Sequence, residues 1–185
     1  MKTVTIFGSS MPDEGTEVYR QAHRLGRLLA GAGLAVCNGG YGGLMEASAR
    51  GAQEARGHTV GVTCKIWPGR ANRWISEEVR TSSFMERLVT LVERGDAYIV
   101  LPGGTGTLVE LALAWEMMNK SALTRSMGGP RPLLVMSPYW QPVIGCLEQE
   151  MQMASGSKIT RPPAMDRVTM IRSVDEAVAR LGGEF

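Results

Sequence analysis

Short runs of apolar residues alternate with longer amphipathic stretches along the whole chain. The apolar runs predict strands at residues 4–7, 34–37, 59–62, 97–101, 133–136 and 168–171. Apolar positions at helical spacing predict helices at 18–29, 44–56, 84–92, 107–119, 143–153 and 174–181. The strands are apolar throughout, as in a parallel sheet buried on both faces. We therefore predict one α/β domain over residues 1–185, a doubly wound, Rossmann-like and mostly parallel sheet with helices on both faces.

Three glycine- or serine-rich stretches follow the ends of predicted strands. They are Gly8-Ser9-Ser10, residues 38–43 and residues 102–107. In doubly wound folds ligands bind beyond the carboxyl ends of the strands, so we expect these stretches to converge on one site. Residues 64–76 are predicted to be irregular, and residues 121–131 to form a mobile surface loop. The tail after residue 155 is expected only to complete the sheet.

Composition excludes several classes of protein. The 185 residues are 44% hydrophobic and 21% charged, with a net charge of only +2, so neither a nucleic-acid polymer nor a membrane is an expected partner. The amino terminus lacks a secretory hydrophobic segment, which favours the cytoplasm. Three scattered cysteines and two histidines argue against disulfides, a metal site or a histidine-based triad. Arginine outnumbers lysine sixteen to four and suits contacts with phosphate or carboxylate groups.

The segment from Pro102 to Glu110 carries the strongest chemical signal. A strand, a glycine loop and a helix follow one another, which directs free backbone N–H groups and the positive helix end at one point and suits a phosphate. The alternative for Thr107 and Glu110 is a capping box, with Thr107 as the N-cap residue. The segment fits neither the Walker pattern nor the dinucleotide fingerprint.

The same segment resembles the LOG family, because it matches that family's signature P-G-G-x-G-T-x-x-E. The resemblance covers about the first 140 residues and includes Phe7-Gly8-Ser9-Ser10, the glycine loop at 38–45 and Phe84-Met85-Glu86-Arg87. It implies a cofactor-free and metal-free enzyme of cytokinin biosynthesis that acts as a homodimer. Such an enzyme hydrolyses cytokinin riboside 5′-monophosphates, or AMP, to the free base and ribose 5-phosphate.

The resemblance also assigns roles to residues. The catalytic pair falls on Arg87 and Glu110. Glu110 would stabilise an oxocarbenium-like sugar and activate water, while Arg87 would hold phosphate or ribose hydroxyls and keep Glu110 ionised. The residues expected to contact the nucleotide are Gly8, Ser9, Ser10, Gly39, Gly40, Gly103, Gly104, Thr105, Gly106 and Thr107. Leu88, Val109 and Glu46 depart from the family pattern, which points to a side branch with a different base or with none.

Two other functions stay open at this stage. The same site could hold a phosphorylated ligand without cleaving it, as in the molybdenum-cofactor carriers that resemble this family. A pyridoxal-dependent decarboxylase would need a lysine in a recognisable cofactor pattern, which the chain does not offer. Trp67, Trp74 and Trp115 could stack on a base, although core packing is the more usual place for tryptophan. Met85, Met117 and Met118 are interpreted as core or dimer contacts.

Overall fold

Strands and helices alternate along the part of the chain described by the structure, a computed structural model that covers residues 1–124, 129, 131–154, 156 and 163–183. The strands are β1 (Thr3–Phe7), β2 (Ala35–Asn38), β3 (Thr59–Cys64), β4 (Glu77–Thr81), β5 (Ala97–Val100), β6 (Leu133–Met136) and β7 (Val168–Ile171). The helices are α1 (Glu17–Gly31), α2 (Leu44–Glu54), α3 (Phe84–Arg94), α4 (Thr105–Thr124), α5 (Gln141–Ala154) and α6 (Val174–Leu181). A 3-10 helix, Pro163–Arg167, precedes β7.

The strands form one parallel sheet in the order β4-β3-β2-β1-β5-β6-β7. Apolar residues of α1, α2 and α6 form a core on one face, and those of α3, α4 and α5 form a core on the other. This confirms the predicted fold class. The strand order reverses between β1 and β5, and a cleft opens at such a switch point because the connections leave in opposite directions.

Strand β4 was missed by the sequence prediction. It lies at the edge of the sheet, and in Glu-Glu-Val-Arg-Thr only Thr81 is fully buried. A strand with one partner and an exposed face carries polar residues, so it lacks the apolar run that marks a central strand. At the opposite edge, β7 and α6 complete the sheet, as expected for the tail.

The helix after β5 also differs from its prediction. It begins at Thr105, two residues earlier than expected, and it continues to Thr124. The first part of the predicted loop at 121–131 is therefore helical, and residues 125–128 and 130 lie outside the described residues. Nowhere in the described chain does a helix combine the length and apolar character that crossing a membrane requires.

Candidate active site at the switch point

A cleft of about 500 Å³ lies at the carboxyl ends of β1 and β5. Nine of the predicted site residues line it: Gly8, Ser9, Ser10, Arg87, Gly104, Thr105, Gly106, Thr107 and Glu110. Hydrogen bonds join the loops around it. The Ser9 N–H donates to the Pro102 carbonyl over 3.0 Å, and the Ser9 carbonyl accepts from the Leu44 N–H over 2.9 Å. The loop after β1 therefore connects the other two glycine-rich stretches, which confirms the expected convergence.

The amino terminus of α4 opens into this cleft. The Leu108 N–H donates to the Gly104 carbonyl over 2.9 Å. Within the described chain, no protein group accepts from the N–H groups of Thr105, Gly106 and Thr107. A Cβ atom added at Gly104 or Gly106 would meet nothing within 4 Å, so there is open space beside these donors. Free N–H groups, the positive end of the helix dipole and open space are the features that an anion site needs.

Thr107 does not cap the helix that contains Glu110. It is the third helical residue, it is only 4% exposed, and its side chain packs against the Cα of Gly103. The capping-box interpretation of this segment is therefore wrong. A cap of that kind does occur at α3, where Ser83 Oγ accepts from the Glu86 N–H and the Glu86 carboxylate accepts from the Ser82 N–H.

That cap fixes the start of α3 and thereby places Arg87, which is 5% exposed, beneath the cleft. Its Nε donates to the Val62 carbonyl over 2.8 Å, and its Nη2 donates to the Gly39 carbonyl over 3.3 Å. Its Nη1 donates to Glu110 Oε1 over 3.4 Å. Each terminal nitrogen keeps one further N–H, so the guanidinium can donate to a ligand only from these two positions.

Residue 39 must be glycine for this arrangement, because a Cβ there would lie 1.9 Å from Arg87 Nη2. Gly39 supports Arg87 and does not line the cleft, contrary to its expected contact with the nucleotide. Gly40 also lies away from the cleft, and its carbonyl accepts from Asn72. Gly103 lies beneath Thr107. These three glycines shape the site from outside.

Glu110 is the one acidic side chain among the described residues that line the cleft. Its side chain is 12% exposed, and Arg87 is its only donor within the described chain. Burial raises the pKa of Glu110 to about 7, although Arg87 opposes this shift through its charge and its hydrogen bond. Desolvation of Glu110 therefore outweighs the ion pair through which Arg87 was expected to keep this carboxyl ionised. A carboxyl with this pKa can exchange a proton near neutral pH.

Aromatic side chains form the end of the cleft beside Arg87. The guanidinium carbon of Arg87 lies 5.4 Å from the ring centre of Trp67 and 5.7 Å from that of Tyr41. Trp67 also meets Phe84 edge to face, with ring centres 5.6 Å apart. Among the tryptophans considered for base stacking, Trp67 lines the cleft, whereas Trp115 is buried in the core.

Sequence reasoning did not select Met11, Met45, Pro68 or Phe84 as cleft residues, although all four line it. Met11, Pro68 and Phe84 lie within three residues of a predicted site residue or of Trp67, and Met45 lies five residues after Gly40, so position near the motifs is the signal that could have found them. Apolar residues of this kind carry no chemical signature in the sequence. Their place depends on how the loops cross the edge of the sheet.

A parallel doubly wound sheet with a glycine-lined cleft at its switch point defines the class of Rossmann-like ligand-binding α/β proteins. Within that class, the SLOG cluster4 family matches residues 1–129, and the chain belongs to this family.

The chain is also similar in sequence or fold to individual proteins. The chain is 32% identical over 179 residues to the cytokinin riboside 5′-monophosphate phosphoribohydrolase of Mycobacterium tuberculosis, covering 95% of this chain and 91% of that protein. It is 29% identical over 186 residues to the protein of that name in Rhodococcoides fascians, covering 97% and 89%. The molybdenum cofactor binding protein of Rippkaea orientalis has the same fold, with a TM-score of 0.71, 22% identity and coverage of 98% and 96%.

Proposed function

We propose that the chain hydrolyses the N-glycosidic bond of a nucleoside 5′-monophosphate and releases the free base and ribose 5-phosphate. The placement of Glu110 supports this activity most directly. Its Cα lies about one and a half helical turns, roughly 7.5 Å along the axis, from the open amino terminus of α4, and its side chain is largely buried. The names of the relatives from Mycobacterium tuberculosis and Rhodococcoides fascians support the same reaction.

In the proposed reaction the 5′-phosphate accepts hydrogen bonds from the N–H groups of Thr105, Gly106 and Thr107. This anchoring positions the ribose over Glu110, so that binding energy from the phosphate lowers the barrier at C1′. Water forms a bond to C1′ as the bond from C1′ to the base nitrogen breaks. The ionised Glu110 carboxylate takes a proton from that water, and the departing base takes one from solvent.

Arg87 contributes charge and position in this scheme. Its hydrogen bonds to the Val62 and Gly39 carbonyls hold the guanidinium, which in turn orients Glu110 Oε1. The guanidinium also offsets part of the desolvation that favours the protonated carboxyl. Ser9 and Ser10 lie at the cleft wall and are proposed to contact the ribose or the base.

Incubation with AMP and with prenylated AMP, followed by chromatography for the free base, tests this activity. We expect base release from the nucleotide and far less from adenosine, which lacks the phosphate anchor. Glu110→Gln should abolish release while largely sparing nucleotide affinity. The matched control is Glu116→Gln, because Glu116 lies on the same helix with its carboxyl exposed.

The alternative is a protein that carries a phosphorylated ligand without cleaving it. The fold shared with the molybdenum cofactor binding protein of Rippkaea orientalis supports this carrier function as the alternative. A shared fold does not distinguish ligand binding from catalysis. Tight AMP binding with base release no faster than in the absence of protein would favour the carrier.

We also propose that two copies form a homodimer in the cytoplasm through the outer faces of α3 and α4. Four apolar side chains are exposed there: Met85, Val89, Leu108 and Val109. Met85 is the most exposed of them, at 63%, and a cluster of exposed apolar side chains on neighbouring helices suits an interaction between copies. The face adjoins the cleft, because Leu108 and Val109 follow directly on the residues proposed to bind phosphate.

A further inference from the structure

The cleft has two chemically different ends. At one end lie the open N–H groups of α4, and at the other lie the aromatic side chains of Tyr41, Trp67 and Phe84. Arg87 and Glu110 lie between them, since Arg87 contacts both Glu110 and the Trp67 ring. A nucleotide whose phosphate is at α4 and whose C1′ is at Glu110 directs its base toward the aromatic end.

The aromatic end offers little that could read the hydrogen-bonding edge of a base. Tyr41 Oη is already engaged, because it accepts from the Cys64 N–H over 2.9 Å and lies 3.3 Å from the Cys64 carbonyl, to which it donates. Met11, Met45 and Pro68, which also line the cleft, present apolar or thioether surface.

Besides backbone groups, the polar side chains of the described lining that remain for the base are those of Ser9, Ser10, Trp67 and Arg87, and none of them selects one base. The Ser10 hydroxyl can both donate and accept, so it fits either kind of edge group. The Trp67 Nε1–H and the remaining N–H groups of Arg87 can only donate, and every base offers an acceptor. Selectivity for one base would need a fixed pattern of donors and acceptors.

We infer that the site binds the base by stacking and apolar contact, so that the chain accepts several nucleoside 5′-monophosphates. The inference rests on the proposed function for the position of the phosphate. Stacking on aromatic rings tolerates any base, because every base has a π-face. Sites without hydrogen-bond readout discriminate by about 10–200-fold, whereas sites built to hydrogen-bond reject a wrong ligand by about 10⁴-fold or more.

The test measures the affinities of AMP, GMP, CMP and UMP for Glu110→Gln by calorimetry, and release of each base by the wild-type protein by chromatography. We expect affinities within about tenfold between the two purines, and within about 200-fold across all four nucleotides. One base preferred by about 10⁴-fold in binding would overturn the inference and leave the proposed hydrolysis standing. If no base is released from any nucleotide, the proposed hydrolysis fails, and the affinities alone still decide whether the site distinguishes bases.

Variants of Trp67 test the stacking contact itself. Trp67→Ala should weaken binding of all four nucleotides by a similar factor of about 5–150, and Trp67→Phe should restore most of it. Phe84→Leu provides a second variant that leaves the contact of Trp67 with Arg87 in place. A loss confined to one nucleotide, or no loss with either Trp67→Ala or Phe84→Leu, would contradict base binding at this end.

Discussion

Replacing Glu110 with glutamine should stabilise the protein at neutral and alkaline pH while removing its activity. The glutamine side chain has the shape of the protonated carboxyl and can still accept from Arg87 Nη1. Glutamine differs from glutamate in that it cannot ionise, so the site holds no negative charge at any pH. The change therefore isolates the cost of keeping an ionised carboxylate at the floor of the cleft.

The magnitude follows from the pKa of Glu110. Burial raises the pKa from its ordinary value of 4.5 to about 7. Between these two values the folded chain binds more protons than the unfolded chain, so the free energy of unfolding falls as the pH rises. The stabilising contribution is fully present below pH 4.5 and is lost as the pH rises through about 7. The whole change is worth roughly 3 kcal/mol.

The assay is urea unfolding of the wild type and of Glu110→Gln at half-unit steps from pH 5 to pH 9. The variant should have nearly the same stability as the wild type at the acid end and should be more stable by up to roughly 3 kcal/mol above pH 8. Glu116→Gln should show no such trend, because its carboxyl is exposed. Base release by Glu110→Gln should fall by about 10²–10⁴-fold.

Equal stabilities of the wild type and Glu110→Gln at every pH would show that Glu110 ionises normally in the fold. A variant that is less stable than the wild type at neutral and alkaline pH would reverse the sign and would mean that Arg87 dominates over burial. Either result would refute the electrostatic account of the site.

Further predictions concern the other parts of the site. In the wild type, kcat/KM should rise with pH and level off above about 7, as expected if the ionised form of Glu110 is the base, and a pH-rate profile measures this. Gly106→Ala should change the stability by less than about 1 kcal/mol, because its Cβ meets nothing within 4 Å, yet it should weaken AMP binding, measured by calorimetry, because the methyl group enters the space beside the free N–H groups. Arg87→Met should cost about 1–3 kcal/mol in urea unfolding at pH 7, since the Val62 and Gly39 carbonyls lose its hydrogen bonds while Glu110 can take up a proton, and should move the pH-rate profile to higher pH. Val89→Glu should yield monomers in sedimentation equilibrium, and an unchanged dimer would exclude the α3 face as the interface.

The fold was largely predictable because the central strands carry a clear physical signature. β1, β2, β3, β5 and β6 are buried on both faces, so they are mostly apolar and carry no charged residue. Strand β4 was missed because an edge strand pairs with only one neighbouring strand and therefore tolerates charged residues. The start of α4 was misplaced because Thr107 and Glu110 fit a capping pattern as well as they fit the helix interior.

The residues of the candidate site were easier to predict than their electrostatics. Arg87 and Glu110 meet in the cleft, as the motifs implied. The sequence does not show that Glu110 is buried deeply enough to hold its proton near pH 7, because desolvation depends on the surrounding elements. It also does not show that Gly39 supports Arg87 and that Gly40 contacts Asn72, both away from the cleft, since a glycine loop has the same composition in either place.

The orientation of the nucleotide is the central claim, and a crystal structure of Glu110→Gln with AMP tests it most directly. The account predicts phosphate oxygens within hydrogen-bond distance of the N–H groups of Thr105, Gly106 and Thr107. It also predicts C1′ beside residue 110 and the adenine against Trp67. A phosphate bound away from the amino terminus of α4, or an adenine ring lying there in its place, would contradict the account.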